Sequence, residues 1–448
     1  MSRSRLNLRT GAYLTDGATG TQLQKDGLPV GEFAYRFFPD REDRVVRLHL
    51  SYLEAGCQIL RTNTFGLWCN PETPDTETLA RAKQALRCAR QAVHQYETSH
   101  PQTENSHWIA YSIGPFAYRM DHPDEAAIRQ AIRPLIQLAQ KERADCLWLE
   151  TQCDYDECRA LLLEARTFFA GPVLVSFSCR DDGRLFAKGT LEAAVVMASG
   201  LGADAVGLNC SPDATHAAPL LGRIRTLTDL PLLACPGAGL ADMSRTPPVF
   251  PIGPETFYAG MEACVREGAT LVGGCCGTDP EYIREIRPLL ALCEPCGNSR
   301  SEEIPYVCAR EHVLSFSDES AVLGTLSGEE EGQLLQSWEN GDTQPLRRCV
   351  TDMMADGARG IVLSLEDGER MSRIARWLQD EFDLPLFLRA SDLDSLKKTL
   401  HACPGRCGVL WQDPDTDPDD LTAALARYGA YLLSFPEPEK SGSPTSNS

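Results

Sequence analysis

The strongest constraint on the fold is a succession of short apolar runs, rich in β-forming residues, that recur at the spacing of one strand plus one helix. Amphipathic helical patterns lie between the runs; in residues 41–55, Val45, Leu48 and Tyr52 share one face and Gly56 supplies a stop. Strands that alternate with helices predict a parallel sheet, and eight such units within residues 1–292 favour a closed (β/α)8 TIM barrel over an open sheet. The predicted strands are residues 12–18, 57–65, 108–115, 146–151, 172–179, 205–210, 230–235 and 269–275.

A second, smaller α/β unit is predicted for residues 305–435. Residues 293–304 combine turn formers and charges without periodicity, which is typical of a linker. The tail, residues 436–448, has the composition of a disordered segment. About five strands in this unit amount to roughly half of a barrel, so we expect an incomplete one. They are residues 306–308, 360–365, 385–388, 408–411 and 430–435, with helices such as 371–382 between them.

Composition restricts the class of ligand and the compartment. A formal net charge of -20 disfavours binding to nucleic acid or to an anionic membrane surface. No run of about 20 apolar residues and no apolar signal segment are present, so a soluble, unexported protein is expected. Eighteen cysteines in such a chain indicate reduced thiols, which predicts a cytoplasmic location.

Three of the cysteines are distinguished by their position at predicted strand ends. Cys210 ends the sixth strand, and Cys275 and Cys276 follow Gly273 and Gly274 at the end of the eighth. The carboxyl ends of barrel strands share one rim, which is where active sites of this fold lie. Three thiolates leave one tetrahedral position of a zinc ion open, as a catalytic site requires. The pattern therefore predicts a catalytic zinc site.

The alternative is that these are ordinary core cysteines, which is the common state of a cysteine without a partner motif. The adjacent pair after two glycines, together with a third cysteine at another strand end, favours the metal site. By contrast, Cys293 and Cys296 form a single CxxC pair in the linker, without a second pair at zinc-ribbon spacing. The pair Cys403 and Cys407 is a weaker candidate still, and the eight histidines form no HExxH pattern.

Six motifs, taken in order, resemble the homocysteine S-methyltransferase family, which includes betaine:homocysteine methyltransferase and the N-terminal module of cobalamin-dependent methionine synthase. The resemblance covers residues 11–292 and implies that Cys210, Cys275 and Cys276 hold zinc, with the homocysteine sulfur as fourth ligand. One departure is PGAG at 236–239, where the family usually has PNAG, so the resemblance does not carry over the rim contact at Gly237. The motifs are DGATGTQL (16–23), AGCQILRTNTFG (55–66), SIGP (112–115), ETQCD (150–154), GLNCSP (207–212) and GGCCGTDP (273–280).

The resemblance also indicates substrate-binding residues on the same rim. Asp16, at the end of the first strand, and Glu150, at the end of the fourth, are the candidate carboxylates for the ammonium group of homocysteine. Either carboxylate could instead be a helix cap or a satisfied rim charge. Further candidates, for which a role in the turn is the alternative, are Gly17, Ala18, Thr62, Asn63, Ser176 and Asn209.

The second unit weakly resembles the start of the folate-binding barrel that follows this module in methionine synthase. Val362, Ser364 and Arg389 stand where that barrel has polar folate contacts, so we expect no folate binding. Together with the lack of a following cobalamin module, this leads us to expect a methyl donor supplied in trans, on a methylated corrinoid protein that carries methylcobalamin. Alternatives that stay open are a small-molecule donor, a different thiol acceptor, and a non-catalytic docking scaffold.

Overall fold

The N-terminal part of the chain is a closed barrel of eight parallel strands, which confirms the predicted fold class. A computed structural model describes residues 6–37, 40–68, 74–103, 106–116, 124–245, 248–297, 305–315, 322–326, 329–365 and 367–433. The sheet runs in the order β1-β8-β7-β6-β5-β4-β3-β2, and a parallel bridge between Thr15 and Ile59 closes it. The strands are β1 (Tyr13–Leu14), β2 (Ile59–Arg61), β3 (Trp108–Ile113), β4 (Cys146–Gln152), β5 (Val173–Phe177), β6 (Ala205–Asp213), β7 (Leu232–Gly237) and β8 (Ala269–Val272).

Helices surround the barrel, and several of them begin at a side chain that accepts hydrogen bonds from the first backbone N–H groups. The carboxylates of Asp124, Asp154 and Asp213 accept hydrogen bonds from N–H groups in the first turns of α4, α5 and α7, whose bounds are given below. Short 3-10 helices cover Ala34–Phe37, Pro101–Thr103 and Arg287–Leu292. The α-helices are α1 (Gly20–Lys25), α2 (Glu42–Glu54), α3 (Thr76–Ser99), α4 (Glu125–Lys141), α5 (Tyr155–Phe168), α6 (Leu191–Gly200), α7 (Ala214–Arg225), α8 (Pro254–Arg266) and α9 (Pro280–Ile286).

Alternation along each strand separates an inner core from an outer one. In β2, Ile59 belongs to the cluster inside the barrel, together with Trp108 and Trp148, whereas Leu60 packs in the cluster beneath the helices. Arg61 has the same parity as Ile59 and therefore faces the barrel interior, where its side chain is only 4% exposed. This alternation directs the functional side chains into the mouth of the barrel.

The second unit contains a parallel sheet whose strands are neighbours in sequence order, β11-β12-β13-β14-β15. One strand differs from the prediction, because Tyr306–Cys308 does not join this sheet and pairs antiparallel with Val313–Ser315 as a hairpin. Val322–Leu326, which the sequence analysis did not identify, is the first strand of the sheet. The strands are β9 (Tyr306–Cys308), β10 (Val313–Ser315), β11 (Val322–Leu326), β12 (Ala358–Leu365), β13 (Leu386–Ala390), β14 (Gly408–Trp411) and β15 (Tyr431–Leu432).

The described residues of the second unit also form five helices, and the hairpin covers one face of its sheet. Val307 and Leu314 of the hairpin pack with Val362, Phe387 and Leu410, on the face opposite the helices. Residues 298–304 of the predicted linker, residues 434 and 435 of the last predicted strand, and the tail 436–448 lie outside the described ranges. The helices are α10 (Glu329–Glu339), α11 (Gln344–Ala355), α12 (Gly368–Phe382), α13 (Leu393–Ala402) and α14 (Pro418–Tyr428).

One buried arginine links the two units. Arg310, which follows β9, donates through Nε to Asp156 Oδ1 of α5 at 2.7 Å and through Nη2 to Asp380 Oδ1 of α12 at 2.8 Å. Arg159 of α5 donates to the main-chain oxygens of Leu400 and His401, which adds a second connection. Among the described helices, none is long and apolar enough to span a bilayer.

Candidate metal centre and acceptor pocket

Cys210, Cys275 and Cys276 converge at the carboxyl-terminal mouth of the barrel. Their three Sγ atoms lie within 4.8 Å of one another, with Cys210 Sγ 3.2 Å and Cys275 Sγ 4.0 Å from Cys276 Sγ. Three thiolates bound tetrahedrally at about 2.3 Å from a zinc ion would be about 3.8 Å apart. The sulfur spacing therefore fits one zinc ion. Cys275 is buried, and the other two are partly exposed, so the cluster faces the rim rather than the core.

The backbone near the cysteines is shaped by close contacts with neighbouring strands. Cys210 adopts the left-handed conformation, with φ of +63°, which turns the chain at a bulge late in β6. On the other side, Cys275 N–H donates to Pro236 O at 2.9 Å, which holds the cysteine pair against β7. At Gly273 and Gly274 a Cβ atom would collide with the side chains of Thr15 and Thr278. Only glycine lets the pair approach β1 this closely.

Gly237, where the family pattern usually has asparagine, lies beside the cysteine cluster. A Cβ atom added here would meet Cys276 O at 3.2 Å and Cys210 O at 3.9 Å. The first of these distances is shorter than an ordinary van der Waals contact, so the main chain of Cys276 packs tightly against Gly237. The departure from the family pattern therefore lies next to the proposed metal ligands.

Hydrogen bonding among the three sulfurs distributes their charge unevenly. Thiol donation from Cys210 and Cys275 lowers the pKa of Cys276 well below its usual value, despite its burial. The same interactions, together with burial, raise the pKa of Cys210. A metal ion bound here would deprotonate all of its thiol ligands.

Asn209, a predicted substrate-binding residue, is hydrogen-bonded within the barrel. Its Nδ2 donates to Thr151 Oγ1 at 2.6 Å and to Cys275 Sγ at 3.8 Å, while its Oδ1 accepts from Thr151 N–H at 2.9 Å. The side chain is fully buried. This geometry orients Cys275, which is the usual task of a residue that supports a metal ligand.

Asp16 and Glu150, the two predicted carboxylates, are brought together by Arg61. Arg61 Nε donates to Asp16 Oδ1 at 2.6 Å, and Nη1 donates to Glu150 Oε1. Burial raises the pKa of Asp16 to about 6 although the Arg61 charge opposes this shift, and burial also raises the pKa of Glu150. Burial lowers the pKa of Arg61, but the two carboxylates outweigh this effect and raise it. The three side chains form one buried ion network.

Arg61 is the site residue that the sequence analysis missed. Its signal was available, because position 61 follows the interior Ile59 by two residues in an apolar strand, and a charge inside a barrel requires partners. The resemblance drew attention to the neighbouring Thr62 and Asn63 instead.

The remaining predicted substrate residues lie on the same rim but are largely engaged with the chain itself. Gly17 O accepts from Arg61 Nη2 at 2.8 Å, and Ala18 N–H donates to Thr278 Oγ1 at 3.2 Å. Thr62 Oγ1 is 2.7 Å from Thr64 Oγ1, and Ser176 Oγ accepts from Trp148 Nε1 at 2.8 Å. Asn63 differs, because its Oδ1 is buried without a hydrogen-bond partner.

A parallel (β/α)8 barrel with three converging cysteines at its carboxyl-terminal rim defines a class of thiol-rich barrel sites suited to a metal ion. The family can be stated more specifically. The model of the homocysteine S-methyltransferase family matches residues 13–290, which is more than half of the chain. The chain belongs to the homocysteine S-methyltransferase family.

Curated relatives agree with this assignment. The chain is 25% identical to a methionine synthase of Mycobacterium tuberculosis over 454 aligned residues, which cover 94% of this chain and 37% of the relative. It is also 25% identical to a homocysteine S-methyltransferase of Escherichia coli, over 61% of this chain and 94% of the relative. The chain thus spans little more than a third of the methionine synthase. That match extends past the family-model region into the second unit.

Solved structures show the same barrel. The metallated form of the homocysteine methyltransferase MmuM from Escherichia coli superposes with a TM-score of 0.54 at 23% identity, covering 62% of this chain and 96% of that one. Its apo form gives a TM-score of 0.51 at 24% identity, covering 62% and 95%. At this level of identity the likeness establishes the fold.

Proposed function

We propose that this protein transfers a methyl group to the thiol of homocysteine, giving methionine, at a zinc ion held by Cys210, Cys275 and Cys276. The observation that carries the proposal is the convergence of these three sulfurs, within 4.8 Å of one another, at the mouth of a homocysteine S-methyltransferase barrel. Three protein ligands leave the fourth tetrahedral position for a substrate thiol.

Residues around the cysteine cluster hold the proposed metal ligands in place and leave access for the substrate. A zinc ion held by Cys210, Cys275 and Cys276 would lower the pKa of the acceptor thiol, so that its sulfur would be a nucleophilic thiolate at neutral pH. Asn209 fixes Cys275, while the partial exposure of Cys210 and Cys276 leaves an approach from the rim. Transfer forms the new S–CH3 bond as the donor–CH3 bond breaks, and the donor keeps the bonding electron pair. No protein base is needed, because the acceptor is already a thiolate.

For the amino acid part of the substrate, the proposed contacts are Asp16, Gly17, Ala18, Thr62, Asn63, Glu150, Ser176 and Asn209. Asn63 Oδ1 supports its place in this set, as it is a buried acceptor without a partner. Any contact of Asp16 or Glu150 with a substrate ammonium group must be shared with Arg61, which already pairs with both.

The methyl donor is proposed to be a methylated corrinoid protein that docks on the barrel mouth in the cytoplasm. The match to a methionine synthase over 94% of this chain supports methionine formation. The resemblance of the six motifs to the N-terminal module of cobalamin-dependent methionine synthase supports a corrinoid donor. Exposed apolar side chains on rim loops support a protein surface there. Leu240 and Met243, in the loop after β7, are 93% and 66% exposed, and Phe186, in the loop after β5, is 52% exposed. Leu240 and Met243 lie three residues apart in one loop, and exposed apolar side chains that are grouped mark interaction sites more often than single ones do.

Zinc content and methyl transfer test the function. Metal analysis should give one zinc per chain, and X-ray absorption of the substrate-free protein should show three sulfur neighbours at about 2.3 Å. Fewer than three sulfur neighbours would refute the assignment of the ligands. The purified protein with homocysteine should form methionine from methylcobalamin, whereas methyltetrahydrofolate, betaine and S-methylmethionine supplied separately should not support turnover. Turnover with betaine or S-methylmethionine alone would replace the corrinoid donor by a small molecule.

A matched pair of variants tests the proposed docking of a corrinoid protein on the barrel mouth. Met243→Asp, on the rim loop, should reduce transfer from a corrinoid protein while leaving transfer from free methylcobalamin unchanged. Met354→Asp, on α11 of the second unit and 40% exposed, places the same charge away from the rim and should affect neither. Equal behaviour of the two variants with the protein-borne donor would contradict docking at this loop.

A further inference from the structure

The guanidinium of Arg61 fills the space between the two carboxylates that the sequence pattern reserves for a substrate ammonium group. All three of its nitrogens donate. Besides the bonds to Asp16 and Glu150, Nη2 donates to Gly17 O and Gly274 O, each at 2.8 Å. The second of these acceptors immediately precedes Cys275. An internal cation therefore sits beside the metal cluster, at the position where an external one was expected.

The carboxylate oxygens are each already hydrogen-bonded. Asp16 Oδ2 accepts from Arg61 N–H at 2.9 Å, and Glu150 Oε2 accepts from Ser112 Oγ at 2.5 Å. The remaining oxygen of each carboxylate accepts from the Arg61 side chain. With Asp16 fully buried and the Glu150 side chain 9% exposed, a second cation finds little open carboxylate surface.

Arg61 is also held firmly in place. Its side chain is 4% exposed, and its guanidinium carbon lies 5.1 Å from the centre of the Trp148 ring, within reach of a cation–π interaction. Displacing the guanidinium would leave two buried carboxylates without their counter-charge. It would also break the hydrogen bonds of Arg61 to main-chain oxygens in the loops after β1 and β8. A substrate ammonium group replaces only part of these interactions.

We infer that Arg61 is a specificity-determining residue, and that it makes the acceptor pocket select alkyl thiols without requiring an α-ammonium group. This inference rests on the proposed function, because it concerns the thiol that completes the metal site. The substrate class is thus wider than homocysteine: it includes thiols of the same chain length that carry the carboxylate but lack the amino group, such as 4-sulfanylbutanoate.

The test compares the binding of two thiols to the intact chain, loaded with Co2+ in place of zinc. The visible absorption of Co2+ reports binding of a thiolate to the metal. L-homocysteine and 4-sulfanylbutanoate are titrated separately. We expect dissociation constants that differ by less than about 10-fold, because a charge-assisted contact to the ammonium group would itself contribute about 10- to 100-fold. A preference for homocysteine of 10-fold or more would overturn the inference.

A variant tests whether Arg61 is the cause of the weak preference for homocysteine. Arg61→Met removes the cation while keeping an unbranched side chain, and it should raise the preference for homocysteine by at least about 10-fold over that of the unaltered chain. Arg166→Met, which removes an arginine paired with Asp204 at the far end of α5, is the matched control and should leave the preference unchanged. An unchanged preference in a folded Arg61→Met protein would overturn the inference. If that variant does not fold, the ratio measured on the unaltered chain decides.

Failure of the proposed function gives a different result. If Co2+ does not bind, or if neither thiol changes the absorption, the metal-thiol site itself is refuted, and the inference falls with it. If both thiols change the absorption and homocysteine is strongly preferred, the site stands and only the role of Arg61 is overturned.

Discussion

Arg310→Met should loosen the contact between the barrel and the second unit. In the unaltered protein the Arg310 side chain is 4% exposed and donates to Asp156 at 2.7 Å and to Asp380 at 2.8 Å, one carboxylate from each unit. Its Nη1 also donates to Gln379 O at 3.3 Å. Methionine keeps the apolar stem of the side chain but removes every donor.

The expected magnitude follows from the exposure of the partners. A hydrogen bond to a charged group contributes about 1.5 to 3 kcal/mol. The side chains of Asp156 and Asp380 are 29% and 44% exposed, so both rehydrate in part when the arginine is lost, and Asp156 keeps Lys188 as a partner. We therefore expect a loss of about 2 to 3 kcal/mol in total, mostly from the Asp156 contact.

Arg376→Met is the matched control. Arg376 pairs with the same Asp380 at 2.8 Å, but within one helix, and its side chain is 42% exposed. An exposed pair of this kind contributes about 0.3 to 0.5 kcal/mol. The comparison therefore separates loss of the link between units from loss of a surface ion pair.

Hydrogen exchange measured by mass spectrometry suits a chain with more than one unit, because a single unfolding transition is not assured. Amides of residues 305–315 and of α12 should lose protection in Arg310→Met by about 2 to 3 kcal/mol and in Arg376→Met by under about 0.5. Equal losses in the two variants, or none in Arg310→Met, would refute the reasoning.

The pH dependence gives a second readout of the same contact. Burial alone would raise the pKa of Asp156, but hydrogen bonds and charge from Arg310 and Lys188 outweigh burial and lower this pKa below its ordinary value of 3.8. A carboxyl group with a lowered pKa adds stability above 3.8 and loses it as the pH falls through the folded-state value. The difference between Arg310→Met and the unaltered protein should therefore shrink below about pH 3.8.

Three further outcomes are expected. Cys276→Ser should abolish zinc binding and activity. Its circular dichroism and melting temperature should stay near those of the unaltered metal-free chain, since the residue lies on the rim. Global unfolding of this variant would show that Cys276 is a structural cysteine. Asn209→Ala should weaken zinc binding by about 10- to 100-fold through misorientation of Cys275, and unchanged affinity in a metal competition assay would contradict that role. Calorimetry should detect no binding of methyltetrahydrofolate, because Val307 and Leu314 cover the sheet face that Val362 shares.

Much of the barrel could be predicted from local patterns. Apolar runs at strand spacing, separated by amphipathic helices, indicate parallel strands wherever they occur, since the periodicity is a property of each segment alone. The rule that strand ends share a rim then places Cys210 beside Cys275 and Cys276, although 64 residues lie between the sixth-strand cysteine and the pair. The locations of these cysteines depend only on the position and direction of the strands that carry them, which the sequence encodes.

The second unit shows where local patterns stop being sufficient. The apolar run at Tyr306–Cys308 predicts a strand, and the structure has a strand there. Three residues alone, however, do not specify which other strand it pairs with. In the structure it forms a hairpin whose Val307 and Leu314 cover the open face of the parallel sheet. Strand pairing depends on which other segments reach the same edge, so it is settled by tertiary packing.

The sequence by itself determined the barrel, the strand ends and the positions of the three cysteines, because each follows from periodicity along one segment. Only the tertiary structure decided what the carboxylates Asp16 and Glu150 contact. Arg61 meets both of them across the barrel, from a different strand, and thereby changes them from open acceptors into members of a closed ion network. Pairing of buried charges depends on distances between strands, and these exist only once the barrel has closed.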